Sequence, residues 1–439
     1  MSSRDFRAPK GTRDLLPPAT GLWAAVEETA RRVFALYGYR EIRTPIFEET
    51  ELFARGVGET TDIVGKEMYT FTDKGERSLT LRPENTAAVC RAYVEHGMQT
   101  LPQPVRLFYI GPQFRYERPQ KGRFRQFHQI GVELLGGKGA PSDVEVLQLL
   151  VRFLRELGFA DLTVLLNTLG DSASRAAYRA GLVAYLEPRK DGLGEESRRR
   201  LELNPLRILD TKDPDEQQLL SGAPTLESFL TEESRARFAV VCSHLDHFEI
   251  SYRVEPRLVR GLDYYTNTVF EIVSAGLGAQ NAICGGGAYE GLVEELGGPP
   301  TYGVGFAIGE DRLLDVLPES SPLRAPERTR GPVLLAAAGR LPATADGVSL
   351  LTVRAERLRE AGLPVVETAA KPPRVFELAA SLRSPVVLFL GEDEIASDTV
   401  AIRDLETKEK ASFPISAAIR YLDDRYFGGA LSRRRGVDE

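Results

Sequence analysis

The sequence predicts an α+β protein: strand runs flanked by helices, broken by a helical insertion and followed by a separate α/β domain. Three observations carry this. The stretch "RLFYIGPQFRYERPQKGRFRQFHQIGVE", Arg106 to Glu133, is two strand-like runs either side of a turn around Pro119–Gly122, the pattern of a hairpin. Strand signals then fade between about Asp171 and His247, where "GLGEESRRRLELNP" and "DPDEQQLLSGAPTLESFLTEESRARF" read as surface-rich helices. Beyond the Pro- and Arg-rich "PESSPLRAPERTRGP", short apolar runs and helical segments alternate, which predicts an α/β domain of about 100 residues.

Taken in order, "GLWAAVEETARRVFALYGY" places Trp23, Val26, Ala30, Val33, Phe34 and Tyr37 near helical spacing, with Gly38 as the stop. "EIRTPIFEE" is extended, and Pro45 confines it to a sheet edge or an interface. "ERSLTLRPENTAAVCRAYVEHG" reads as a strand, a loop at Pro83 and a helix from about Asn85. After the hairpin and the helical insertion, strand patterning returns with "ISYRVEPRLVRGLDYYTNTVFEIV", and "TYGVGFAIGEDRLLDVLP" is a strand, a turn and a helix. In the last domain "PVLLAAA", "LPVVET", "PVVLFLG" and "TVAIRDL" alternate with a helix ending near Gly362, one through "VFELAASL" and one near Tyr421. The expected boundaries are 1–325 for the first domain, with the insertion at about 171–250, then a linker at 326–331, the α/β domain at 332–425 and a disordered tail at 426–439.

A chain of 439 residues is too long for one ordinary core. Its 42% hydrophobic and 27% charged residues suit a globular protein, and a net charge of -7 gives no global attraction for nucleic acid, so any such contact is local. Cys90, Cys242 and Cys284 are scattered and odd in number, which argues against a disulfide framework and fits a reducing cytoplasm. No apolar run approaches the roughly 18 residues of a membrane span. Several motifs fail. "GETTDIVGKE" has the wrong glycine spacing for a P-loop, "GVGFAIG" is not a dinucleotide fingerprint, and "CSHLDH" lacks the partner ligands of a zinc site, so no metal site is expected.

What remains is a constellation. On the second hairpin strand one face carries Arg125, Phe127, Gln129, Gly131 and Glu133, and the other Gln126, His128, Ile130, Val132 and Leu134. Phe127 can stack a base, Gly131 leaves room, and Glu133 can accept from an N–H group or a cation. In "VRGLDYYTNTVFE" alternation puts Tyr264 and Tyr265 on opposite faces, with Arg260 beside Tyr264. Arg312 falls in the first turn of a helix, against the macrodipole, where an anionic ligand would offset it. Arginines on separate elements with an aromatic plate between suit a nucleotide triphosphate, because guanidinium forks match phosphate oxygens and stay charged.

These stretches resemble the class II aminoacyl-tRNA synthetases, and among them the histidyl-tRNA synthetase family. "GTRDLLPP" and "GYREIRTPIFE" resemble the family's opening and first motif, "FRYERPQKGRFRQFHQIGVE" its second and "GVGFAIGEDRL" its third. "RGLDYYTNTVFE" resembles the segment peculiar to the histidine enzymes, and the resemblance covers nearly the whole chain. It implies a six-stranded antiparallel catalytic sheet flanked by helices, an inserted helical domain, an anticodon-binding α/β domain and a homodimer with Pro45 near its interface. It implies ATP and Mg²⁺ as cofactors, and L-histidine and tRNA(His) as partners. Carried over residue by residue, Arg115 would hold the α-phosphate, Arg123 and Arg312 the β and γ phosphates, and Glu117 would join this ATP site. Phe127 would stack on adenine. Glu84, Thr86 and Gln129 would bind the histidine ammonium, and Glu133, Tyr264, Tyr265 and Tyr289 would form the rest of the amino-acid pocket. Arg260 would lie between the histidine carboxylate and the α-phosphate, with Arg115 and Arg260 catalytic. Arg118 and Gln120 would meet the tRNA acceptor end, and Lys121 its phosphates.

The chain departs from the family pattern at Ala288 and Glu290, where Arg and Asp are usual, and "AAKPPRVFELAASL" lacks the usual lysine-rich run. Two other readings stand beside histidine–tRNA ligation: a non-aminoacylating histidine-binding relative of the ATP phosphoribosyltransferase regulatory subunit type, and a class II enzyme for another amino acid.

Overall fold

A computed structural model describes residues 6–58, 61, 63–117, 123–211, 213–259, 261–274, 282–325, 330–345 and 347–427. The chain forms two compact units, Met1–Pro322 and Leu323–Glu439.

The first unit opens with α1 (Ala19–Leu36), whose apolar stripe is buried from Trp23 to Phe34. The helix stops where Gly38 takes a φ of +78°, a left-handed conformation that glycine adopts without a Cβ clash. Then follow β1 (Arg40–Glu41), β2 (Phe47–Glu49), α2 (Thr50–Val57), β3 (Tyr69–Thr72), β4 (Ser78–Leu81) and α3 (Thr86–Glu95). The hairpin is β5 (Val105–Phe114) and β6 (Gln126–Leu135); its tip, 118–122, lies outside the described residues. After α4 (Ala140–Glu156) and β7 (Leu162–Thr168) comes the helical insertion: α5 (Ser172–Leu186), α6 (Glu195–Leu203), a 3-10 turn at Pro205–Asp210, α7 (Pro214–Leu220) and α8 (Glu232–His247). It has its own core, including Tyr178, Leu182, Leu186, Leu201, Ile208 and Leu220. The chain returns through β8 (Tyr252–Val254), β9 (Tyr265–Ser274), β10 (Ala282–Tyr289), α9 (Leu292–Glu295), β11 (Gly303–Gly309) and α10 (Glu310–Asp315).

The large sheet is eight-stranded, in the order β1-β5-β6-β11-β10-β9-β7-β8. The inner run from β5 to β7 is antiparallel throughout, the six-stranded sheet expected. Short β1 and β8 extend it by pairing parallel at either edge. Strands β2, β4 and β3 make a separate small sheet. One face of the large sheet packs on α1 and α4, where the Phe34 ring meets Phe108, Phe153 and Phe306 edge-on. The glycine-rich "AICGGGAY" forms an inner strand, β10. A Cβ on Gly287 would meet the Thr268 carbonyl at 2.7 Å, and one on Gly286 the Phe270 ring at 2.8 Å, so these glycines admit neighbouring chain.

The second unit runs β12 (Val333–Ala337), α11 (Leu350–Glu360), β13 (Val365–Thr368), α12 (Pro372–Ser381), β14 (Val386–Leu390), α13 (Glu392–Ala396), β15 (Thr399–Asp404), β16 (Lys410–Pro414) and α14 (Ile415–Tyr426). Its sheet, β13-β12-β14-β15-β16, is parallel over the first three strands and antiparallel over the last. Leu335 and Leu388 face α11 and α14, while Leu334 and Val387 face α12, so period-two alternation buries both faces. Among the described residues no helix is long and apolar enough to cross a membrane.

Candidate active site

On the face of the large sheet away from α1 lies a cavity of about 210 Å³. That is below the roughly 300–1,000 Å³ typical of drug-sized ligands, and suits something as small as an amino acid. Its walls include Glu84, Thr86, Arg115, Gln129, Glu133, Tyr264, Tyr265 and Tyr289, brought together from the start of α3, both hairpin strands' inner ends, β10 and the segment entering β9.

Glu133 is 1% exposed. Its two carboxyl oxygens accept from the Thr86 hydroxyl and the Tyr289 hydroxyl, each at 2.7 Å. Burial pushes this carboxyl up to about 8; the two hydroxyls pull it back and the nearby Glu84 charge adds to the rise. Glu84 is also buried, and burial again raises its pKa, against the pull of two backbone N–H donors. Those donors are Thr86 N at 2.7 Å and Ala87 N at 2.9 Å, so Glu84 closes the first turn of α3. The buried Gln129 Oε1 has no hydrogen-bond partner among the described residues. The cavity thus offers two carboxyls and a spare amide oxygen, an acceptor set for a ligand rich in N–H groups.

Two local expectations are corrected. Tyr264 and Tyr265 do not diverge to opposite faces: both line the cavity, with ring centroids 4.6 Å apart. Strand β9 begins at Tyr265, so Tyr264 sits in the preceding turn and alternation does not reach it. The room left by Gly131 belongs to Tyr109, which lies directly across the β5–β6 pair and whose ring would collide with any side chain at 131. Tyr109 is a wall residue that sequence reasoning missed; its signal, a cross-strand aromatic–glycine pair, needs the hairpin register.

Beside the cavity the Arg115 guanidinium donates to the Pro83 carbonyl at 2.8 Å and lies 5.4 Å from the Phe127 ring centroid. Glu117 stands between Arg115 at 3.9 Å and Arg123 at 3.5 Å. Arg312 is held differently: its Nε donates to the Ala282 carbonyl at 2.9 Å, from α10, which starts where Gly309 pairs with Gln129. Arg260, Arg118, Gln120 and Lys121 lie outside the described residues. Asp311 was also missed. Its carboxylate accepts from Arg13 at 2.7 Å and from His128 N at 2.9 Å, tying "GTRDLLPP" to the hairpin. Nothing in the local sequence marks that contact.

A family model described as Histidyl-tRNA synthetase matches residues 11–313. The chain belongs to the histidyl-tRNA synthetase family. A second model, described as Anticodon binding domain, matches residues 350–425 of the second unit. The chain is 47% identical over 423 residues to the Histidine–tRNA ligase of Desulfitobacterium hafniense (strain DSM 10664 / DCB-2), covering 96% of this chain and 98% of that one. It is 46% identical over 420 residues to the Histidine–tRNA ligase of Synechococcus elongatus, covering 95% of each. Among solved structures, apo S. aureus histidyl-tRNA synthetase is 34% identical with a TM-score of 0.77, covering 95% of this chain and 99% of that one. A Bacillus halodurans protein described as an ATP phosphoribosyltransferase regulatory subunit/histidyl-tRNA synthetase is 22% identical with a TM-score of 0.63, covering 89% and 100%, a likeness of fold alone.

Proposed function

We propose that the chain attaches L-histidine to tRNA(His) through a histidyl-adenylate. The observation that carries this is the buried Glu133 carboxyl, held by Thr86 and Tyr289 at the floor of a cavity the size of one amino acid. An imidazole N–H donating to Glu133 repays its burial, whereas an apolar analogue strands an acid. Glu84, Thr86 and Gln129 receive the histidine ammonium, and Tyr264, Tyr265 and Tyr289 enclose the ring.

The histidine carboxylate is ionised at pH 7 and needs no general base. One carboxylate oxygen forms a bond to the α-phosphorus of ATP as the bond to the bridging oxygen breaks, and pyrophosphate leaves. Catalysis is then positioning and charge stabilisation. Arg115 holds the α-phosphate, Arg260 spans the two reacting groups, Phe127 carries the adenine, and Arg123, Arg312 and Glu117 serve the phosphate side. The 3′-terminal adenosine of the tRNA next takes the histidyl group and AMP leaves, with Arg118, Gln120 and Lys121 at the acceptor end and the second unit on the anticodon.

Among the described residues no group of three His, Cys, Asp or Glu could hold a metal ion. Mg²⁺ would arrive on the ATP phosphates, since magnesium commonly uses one or two protein carboxylates together with substrate phosphates. Glu117 is the acid between the two phosphate-side arginines, and the ion would neutralise phosphate charge there. We assign the chain to the cytoplasm and to a homodimer built on the face around Pro45. Ile46, Phe47 and Phe71 there are 45%, 51% and 43% exposed, large apolar groups that a second copy would cover.

The test is ATP–pyrophosphate exchange with each amino acid in turn. Exchange with histidine alone is expected. Histidine binding without exchange would transfer the chain to the non-aminoacylating regulatory reading, and exchange with another amino acid to a different synthetase.

A further inference from the structure

Among the described residues, polar groups of the inserted helical module bond to chain bordering the amino-acid pocket at two places. The first is the turn that enters β9. Asn204, after α6, donates its amide to Asp263 Oδ1 at 2.9 Å. Arg207, in the 3-10 turn, brings its Nε to 3.5 Å from the same oxygen and donates an Nη to the Gly261 carbonyl. Arg175 of α5 donates to the Asp263 carbonyl at 3.4 Å. Asp263 N reaches back to the Val57 carbonyl at 3.3 Å, so the turn is gripped from both sides. Tyr264 follows it directly.

The second place is behind Tyr289. Arg237 of α8 has one Nη 3.3 Å from Glu290, the residue after Tyr289. Its other Nη is 3.5 Å from the wholly buried Asp143 and bonds the Tyr302 hydroxyl, while the guanidinium stacks 4.5 Å over the Tyr302 ring. Asp143 also accepts from Thr268 of β9 at 2.6 Å. Tyr302 leads into β11, where Gly303 pairs with Tyr289 and lies flat against its ring. One guanidinium therefore bonds Glu290 just after Tyr289 and Tyr302 just before β11, and meets β9 through Asp143.

The part of the module that carries Arg175, Asn204 and Arg207 has an apolar core of its own, from Tyr178 to Leu226, so these polar bonds add to packing that is already there. Charge-assisted, directional bonds give geometric control rather than bulk adhesion. We propose that the inserted module is a clamp on the histidine pocket, in which Arg207 and Arg237 are positioning residues that set Tyr264 and Tyr289 for adenylate formation before any tRNA arrives. This rests on the reading of the cavity as the histidine site.

The test uses the full chain without tRNA, in ATP–pyrophosphate exchange, with Arg207→Met and Arg237→Met, their Lys counterparts, and Lys190→Ala on the module's exposed side as a control. Each Met variant is expected to raise the KM for histidine about tenfold with the KM for ATP within about twofold, and Lys to restore part of the loss. The control is expected to match the parent. Histidine KM unchanged in both Met variants, or histidine and ATP KM rising together with a lowered unfolding midpoint, overturns the clamp. If the guanidinium variants fail to fold, Asn204→Ala, which removes a single amide donor, must still raise the KM for histidine selectively. A parent with no histidine-dependent exchange refutes the ligase reading instead. Calorimetric titration with histidine then decides the clamp: the Met variants must bind more weakly than the parent.

Discussion

Two buried acids on opposite sides of the large sheet make an instructive pair. Glu133 faces the cavity and Glu310 begins α10, where the charges it feels are Glu27 of α1, the adjacent Asp311 and Arg31 of α1. Both are almost fully buried. Burial pushes Glu133 up to about 8 and Glu310 up to about 9. The difference is in partners. Glu133 has a hydroxyl on each oxygen, whereas neither oxygen of Glu310 finds a hydrogen bond among the described residues. Desolvation alone therefore does not mark a functional acid. Glu133 is held in one orientation with a cavity in front of it, so a ligand can recover the lost solvation; Glu310 has no such hold among the described residues, and its burial weighs on stability.

The comparison breaks most sharply by substitution. Glu133→Leu is expected to lower kcat/KM for histidine by about 10²–10³-fold, from lost charge-assisted hydrogen bonds. Glu310→Leu is expected to leave it unchanged, as read by ATP–pyrophosphate exchange. Equal losses in both would erase the distinction.

Stability reverses the ranking. An acid whose folded pKa is raised binds more protons folded than unfolded, so it makes stability fall as pH rises from the ordinary carboxylate range through the folded value. For Glu310 that window runs from 4.5 to about 9. Glu310→Leu is expected to add about 1–3 kcal/mol at pH 8, measured by urea unfolding, and much less at pH 5 where the acid is already neutral. A gain that is the same at both pH values would mean packing, not charge, is responsible.

The smallest effect concerns pH and binding. If the ionised form of Glu133 takes the ligand, its fraction rises about fivefold between pH 7 and pH 8 for a pKa near 8, and the KM for histidine should fall by about the same factor. Glu133→Gln should flatten the profile. A parent KM flat over this range would mean that the proton on Glu133 does not control binding.

Legibility in the sequence follows the range of the interaction. The α1 stripe, the stop at Gly38, the hairpin strands and the alternating second unit were readable because period and turn chemistry act over a few residues. The residues gathered in the cavity were named through motifs, and the fold brings Glu84, Thr86, Arg115, Gln129, Glu133, Tyr264, Tyr265 and Tyr289 to one place. What escaped was of three kinds. The glycines of β10 obscured a strand, since they contribute no alternation. Tyr264 was misdirected because the strand starts one residue later. Tyr109, Asp311 and Arg237 act on positions far away in the chain, and no local pattern records a partner.

By itself the sequence determined which segments could be helix or strand, and which residue types were available for an N–H-rich, anionic substrate, because both are properties of short stretches and of side-chain chemistry. Tertiary structure alone decided that Glu133 has two hydroxyl partners and Glu310 none among the described residues, that Gly131 makes way for Tyr109, and that the insertion grips the turn before Tyr264. Those outcomes depend on register and on close approach between segments separated by tens to hundreds of residues, where a shift of one position exchanges the faces of a strand and with them every contact.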